Sequence, residues 1–123
     1  DVGAASSHPD SAQVGPKAEI QRLAPVVAAL HARGAQVSID SYAPEVQRWA
    51  MTQNVAWLND IQGFGDPSLY GELADSGCGL VVMHSVQNSG PATRVATDAK
   101  AVWNGILSFF DQRLAALQKA ACA

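Results

Sequence analysis

Three short apolar runs, each ending in polar residues, alternate with segments whose apolar spacing is helical: Val37-Ser-Ile-Asp-Ser41, Ala56-Trp-Leu-Asn-Asp-Ile61 and Leu80-Val-Val-Met-His-Ser85. Such alternation constrains the fold strongly. Parallel neighbours need a crossover long enough to hold a helix, so the pattern predicts an α/β protein with a parallel sheet. In such sheets polar groups at strand C-termini converge on one small-molecule site. Asp40, Asn59 and His84 stand near those ends.

The rest of the chain fits the same alternation. Asp1-Val-Gly3 reads as the end of a strand cut short, and residues 4–15 as a polar loop. Pro16 suits a first helical position. Ile20, Leu23, Val27 and Leu30 then recur at 3, 4 and 3 residues and make one helical face that Arg33-Gly34 ends. Ser41 can cap a second helix carrying Pro44, Val46, Trp49 and Ala50. Gly63-Phe-Gly65 is a flexible loop with Phe64 as a loop aromatic, and Asp66-Pro67 is a cap followed by a first-turn proline. Residues 86–97 are polar and too long for a minimal βα connection, so they suit a site loop. Asp98 can cap a last helix, with Trp103, Leu107, Phe110, Leu114 and Leu117 on one face. Trp49, Trp57 and Trp103 are expected to pack between helices and sheet. The order is four βα units, the first strand partial.

Size bounds that reading. A full (β/α)8 barrel takes about 250 residues, with a floor near 200, whereas this chain has 123. The fold class expected is therefore α/β: a partial (β/α)8 TIM barrel of about four βα units, one domain over residues 1–123. With 48% hydrophobic and 15% charged residues the composition is globular. The net charge of −3 and the scattered Lys and Arg argue against nucleic acid and anionic membranes as partners. Cys78 and Cys122 have no metal-type spacing and suggest a reducing cytoplasm. No apolar run approaches the roughly 20 residues of a membrane span. The chain starts at Asp1 without Met, which suggests a missing N-terminus.

Each candidate residue has a bland and a functional reading. Asp40 is either a helix cap or a carboxylate that accepts hydrogen bonds from the N–H groups of a ligand ring. Asn59 is either a turn residue or a donor–acceptor pair for a heterocycle edge. Adjacent strand residues face opposite ways, so of Asn59 and Asp60 only one faces inward. We assign Asn59 that role and give Asp60 local capping. Met83 is core or packs on a flat ligand through its polarisable sulfur. His84 lacks a His or Cys partner at zinc spacing. Gly63-Phe-Gly65 lacks the spacing and the Lys of a phosphate cradle.

Four strings together carry a resemblance. Asp1-Val-Gly-Ala-Ala-Ser-Ser-His-Pro-Asp10, Val37-Ser-Ile-Asp-Ser41, Leu58-Asn-Asp-Ile-Gln-Gly-Phe64 and Val81-Val-Met-His-Ser-Val-Gln87, in that order, resemble dihydropteroate synthase, a pterin-binding (β/α)8 enzyme family of folate biosynthesis. Ser7-His8-Pro9-Asp10 and Met83-His-Ser-Val-Gln87 are most similar to its sulfonamide-insensitive branch carried on mobile elements. The resemblance implies a transferase that joins 6-hydroxymethyl-7,8-dihydropterin pyrophosphate to p-aminobenzoate, giving 7,8-dihydropteroate and pyrophosphate. It implies that Asp40, Asn59 and Met83 contact the pterin. Ser7 and His8 would fall on the loop over the aminobenzoate, where most of the family has Thr-Arg.

The resemblance also implies Mg2+ with the pyrophosphate. The family's first-strand Asn, a later Asp-Pro-Gly strand, a Ser-Arg-Lys segment and an Arg-x-His anion site are absent from these residues. Electrostatic stabilisation of departing charge is usually a large catalytic term, so the chain alone is expected to be inactive. Two alternatives remain. One is a methyltetrahydrofolate-type pterin-binding methyltransferase, against which the Ser-His-Pro-Asp and Met-His-Ser strings argue. The other is a non-catalytic half-barrel that binds pterin or assembles. Four parallel strands cannot close a barrel, so a homo-oligomer is expected.

Overall fold

The computed structural model describes residues 1–6, 12–85 and 98–122. Strand β1 (Val2–Gly3) leads to helix α1 (Pro16–His31), then β2 (Ser38–Asp40), α2 (Pro44–Thr52) and β3 (Trp57–Asp60). A 3-10 turn (Pro67–Leu69) runs into α3 (Tyr70–Ser76), followed by β4 (Gly79–Val82) and α4 (Ala99–Lys119). The strands pair in chain order, β1-β2-β3-β4, and every pairing is parallel. The alternation read from the sequence is thus the alternation built.

Local signals explain most boundaries. Pro16 and Pro44 stand in the first turns of α1 and α2, where a missing N–H costs nothing. The Asp66 carboxylate accepts from Ser68 N at 2.9 Å, and the Asp98 carboxylate from Ala101 N at 3.1 Å. Gly77 ends α3 with φ +70°, the left-handed region glycine enters without strain. Ser41 is a correction. Residue Ala43 stands at the N-cap of α2, while the Ser41 hydroxyl accepts from Ala43 N at 3.2 Å and donates to Glu19. The helix starts later because the chain first turns off the sheet edge through Ser41 and Tyr42.

The register divides the sheet into two unlike faces. Ile39 pairs with Leu58, and Leu58 with Leu80. Their side chains point to the helices and meet Leu23 and Val27 of α1, Val46 and Ala50 of α2, and Leu73 of α3 in one buried core. Fully burying a Leu or Ile contributes about 1.5–3 kcal/mol, so this face holds the fold together. The opposite face carries Ser38, Trp57 and Gly79 in one row, and Asp40, Asn59 and Val81 in the next. It has no covering layer among the described residues. Trp57 keeps 40% of its surface exposed and Val81 43%. A Cβ on Gly79 would stand 2.5 Å from Trp57 Cδ1, so this glycine makes room for the indole.

Two tryptophans therefore depart from expectation. Trp57 lies on the open face, and Trp103 is 61% exposed on α4. Along the last helix only Leu117 is buried, while Leu107 and Leu114 remain exposed. The described sheet stops at β4, so the stripe has no further strand to cover. Phe64 departs the other way and is fully buried. No helix among the described residues is long and apolar enough to cross a membrane.

Candidate functional site

Asp40 and Asn59 are Cα partners at the ends of β2 and β3. Register partners in a parallel pair project to the same side, so both side chains leave the open face. Asp1 stands beside them. Its carboxylate accepts from Ser38 Oγ at 2.6 Å and from Asn59 Nδ2 at 3.5 Å. That second contact is long and weak. The other end of the amide, Asn59 Oδ1, is buried and has no hydrogen-bond partner among the described residues. A buried acceptor without a donor costs free energy; such groups call for an explanation, and a ligand donor is one.

Burial pushes the Asp40 carboxyl above its ordinary range, and the nearby charge of Asp60 pushes the same way. A carboxylate and an amide oxygen side by side form an acceptor-rich edge. It suits a flat heterocycle that offers ring N–H and amino donors. Met83 follows β4 on the Asn59 side of the alternation, since Asn59 pairs with Val81 two residues before it. The side chain is 41% exposed, so its thioether is free to lie against a planar ring.

His84 does not join this edge. It continues the alternation on the helix side and packs edge-to-face on Phe109 of α4, with centroids 5.1 Å apart and an interplanar angle of 83°. Strand alternation, not strand-end position, decides which polar residues converge. Ser7 and His8 lie outside the described residues.

Behind the sheet lies a polar layer that sequence reasoning largely missed. Asp60, next to Asn59, points to the helix side and is buried. Its Oδ1 accepts from Gln62 N at 2.7 Å, and its Oδ2 from Phe64 N at 3.1 Å and from Gln47 Nε2 at 3.0 Å. These bonds hold a turn in which Gly63 and Phe64 both take positive φ, +62° and +60°. Tyr70 closes the turn by donating its hydroxyl to Phe64 O at 2.9 Å. The local capping expected of Asp60 is what it does. Phe64 is therefore a buried plug held in a strained conformation. Burial lifts the Asp60 carboxyl, while the Gln62, Gln47 and Phe64 donors pull it down less strongly.

Glu19 of α1 is also buried, with Oε2 accepting from Ser41 Oγ at 2.9 Å. Burial raises its carboxyl above the usual range, the Ser41 bond opposes that, and the charge of Asp40 adds to it. Helical spacing foretold Leu23 and Val27, but a Glu one turn earlier gave no signal of a buried partner. A cleft of about 570 Å3 opens on this side, lined by Gln13, Glu19, Tyr42, Gln47, Asp60 and Phe64 among others. It includes none of Asp40, Asn59 and Met83. Among the described residues no group of three or more His, Cys, Asp or Glu side chains could hold a metal ion.

Known proteins match this chain in sequence and in fold. Residues 1–123 match the family described as "Pterin binding enzyme". The chain is 49% identical over 120 residues to dihydropteroate synthase type-3 of Escherichia coli, which covers 98% of this chain and 46% of that protein. It spans less than half the length of the curated relatives it matches. Among solved structures, Burkholderia cenocepacia dihydropteroate synthase complexed with 7,8-dihydropteroate superposes with a TM-score of 0.80 at 30% identity, over 97% of this chain and 42% of that one. Xanthomonas albilineans dihydropteroate synthase with 4-aminobenzoic acid gives 0.82 at 26% identity, over 98% and 42%. The four-strand sheet is thus a partial α/β barrel, and the chain belongs to the pterin-binding enzyme family.

Proposed function

We propose that this chain carries the pterin-holding side of a dihydropteroate synthase. The whole reaction moves the dihydropterin-6-ylmethyl group from pyrophosphate to the amine of p-aminobenzoate: the CH2–O bond breaks, a CH2–N bond forms and the amine gives up a proton. It yields 7,8-dihydropteroate and pyrophosphate. The observation that carries the reading is the Asp40–Asn59 pair: two in-register side chains on one open face, with Asn59 Oδ1 buried and without a hydrogen-bond partner among the described residues. Relatives whose structures hold 7,8-dihydropteroate or 4-aminobenzoic acid share the fold. In this reading Asp40 accepts from the ring, Asn59 fixes the heterocycle edge, and Met83 packs on its plane. Ser7 and His8 would serve the aminobenzoate side.

Among the described residues no group of three or more His, Cys, Asp or Glu side chains could hold a metal ion. Held with the pyrophosphate, Mg2+ would neutralise charge on the leaving group. The reading also places the chain in the cytoplasm, which the free thiols of Cys78 and Cys122 support.

A second reading has its own observation. The open face of Trp57, Val81 and Met83 suits a half-barrel that assembles with a second copy. Two assays separate the readings. The first is calorimetry of the chain with pterin-6-carboxylic acid. The second is pyrophosphate release from the pterin pyrophosphate and p-aminobenzoate. Pterin binding without turnover is the expected result. Turnover by the 123-residue chain would mean that the leaving group is stabilised by residues present here. Absence of pterin binding would leave the assembly reading.

A further inference from the structure

Gln47 is 1% exposed and sits on α2, on the helix side of the sheet. Its Nε2 donates twice: to Ser41 O at 2.9 Å and to Asp60 Oδ2 at 3.0 Å. Ser41 directly follows Asp40 and Asp60 directly follows Asn59. One amide group thus ties the residue after each inward-facing side chain. The backbone ladder between these strands ends nearby, with Ser41 N donating to Asn59 O at 3.1 Å. Beyond that rung the two chains diverge into separate loops, and Gln47 is the cross-link one step further on.

We propose that Gln47 is a positioning residue that locks the ends of β2 and β3 together and so fixes the spacing of Asp40 and Asn59 on the opposite face. The proposal rests on the reading that those two side chains hold the ligand ring. Three features make the link stiff. Both protons of the amide nitrogen are committed, and to targets on different strands. The Asp60 carboxylate is held in turn by Gln62 N and Phe64 N. The Tyr70 hydroxyl then anchors Phe64 O, so the link runs into α3. A residue that fills the same space without donating, such as Met, takes the Gln47 donor from Ser41 O and leaves Asp60 Oδ2 with Phe64 N alone. An ionised carboxylate there cannot donate and also repels Asp60. Protonated, it regains a single donor.

The experiment compares the unsubstituted chain, Gln47→Met, Gln47→Glu and Asp40→Ala. Readouts are affinity for pterin-6-carboxylic acid by calorimetry, the Asn59 side-chain amide resonances, and far-ultraviolet circular dichroism. Gln47→Met is expected to keep its helical signal, shift the Asn59 resonances and weaken binding about tenfold or more. Gln47→Glu is expected to bind poorly at pH 8 and to recover several-fold near pH 5, relative to the unsubstituted chain at each pH. Asp60 is bonded to that position and Glu19 and Asp66 line the same cleft, so the comparison at each pH removes the titration of groups that residue 47 does not touch, and the recovery reads the coupled residue 47–Asp60 pair. A simple packing role predicts no acid recovery. Unshifted Asn59 resonances with affinity within twofold in Gln47→Met would overturn the proposal. Unchanged affinity in Asp40→Ala, or no binding by the unsubstituted chain, overturns the pterin reading instead. The Asn59 resonances of Gln47→Met then decide the strand lock by themselves.

Discussion

Asp40 and Asn59 occupy facing positions on adjacent parallel strands, and both side chains leave the face that no helix among the described residues covers. The pairing follows from two elementary facts. Strand alternation fixes which residues share a side, and the parallel register fixes which residues stand level. A carboxylate and an amide oxygen are thereby aligned across one inter-strand spacing, about 4.8 Å.

Asp40→Ala should remove a charge-assisted contact to the pterin ring. Such contacts contribute about 1.5–3 kcal/mol, so affinity should fall roughly 10- to 150-fold. Titration calorimetry with pterin-6-carboxylic acid reads this directly. Equal affinity for the two proteins would remove Asp40 from the site.

Asn59→Leu should separate binding from stability. The asparagine carries a buried oxygen without a donor among the described residues, and replacing it with a similar apolar volume relieves that cost. Urea unfolding should show equal or slightly higher stability, by up to about 1 kcal/mol, while pterin binding is lost. Marked destabilisation would mean that the amide serves the fold rather than a ligand.

Glu19→Gln should raise stability at neutral pH and flatten its pH dependence. In the folded chain Glu19, Asp40 and Asp60 all hold their protons above the usual carboxylate range. The folded state therefore binds more protons than the unfolded one between the ordinary and the raised values. Stability falls as pH rises through that window and stays low above it. Below the ordinary value both states are protonated and the penalty is gone. A glutamine at this position still accepts from Ser41 and carries no charge to desolvate. Thermal unfolding at pH 8 should shift up by about 2–6 °C, with little change at pH 4. A lower midpoint at pH 8 would show that the Ser41–carboxylate bond outweighs desolvation.

Gly63→Ala should be among the most damaging small substitutions. An added Cβ would stand 2.6 Å from Met83 O and 2.8 Å from Phe109 Cζ, at φ +62°. Steric overlap and backbone strain add here, for a loss of about 2 kcal/mol or more by denaturant unfolding. Gly105→Ala is the control. It lies within α4 with nothing near its Cβ position and should gain up to about 1 kcal/mol. Similar values for both would mean that the Gly63 turn relaxes freely.

The open face should drive association. Trp57, Val81 and Met83 are exposed together on it, and β1 and β4 each have a single strand partner among the described residues. Light scattering after size exclusion should give a mass above that of one chain, and Val81→Lys should lower it. A monodisperse monomer that unfolds cooperatively would mean that the face is satisfied within one chain.

What the sequence determined by itself is the alternation of strands and helices. Apolar periods of 3.6 and of 2 are local properties, so α1, β2, β3 and β4 were legible, as were the caps at Asp66 and Asp98. That only one of Asn59 and Asp60 can share the face of Asp40 was legible too, from alternation; that it is Asn59 follows from its register with Asp40. Tertiary structure decided everything that depends on what lies across a gap. It put His84 on Phe109 instead of beside Asp40, drew Phe64 into the core behind Asp60, and left Trp57 and Trp103 uncovered because the described sheet ends at β4. It also turned Glu19 and Gln47, polar residues on otherwise ordinary helices, into buried partners of Ser41 and Asp60. Burial is a property of what packs against a residue, and no local period carries that information.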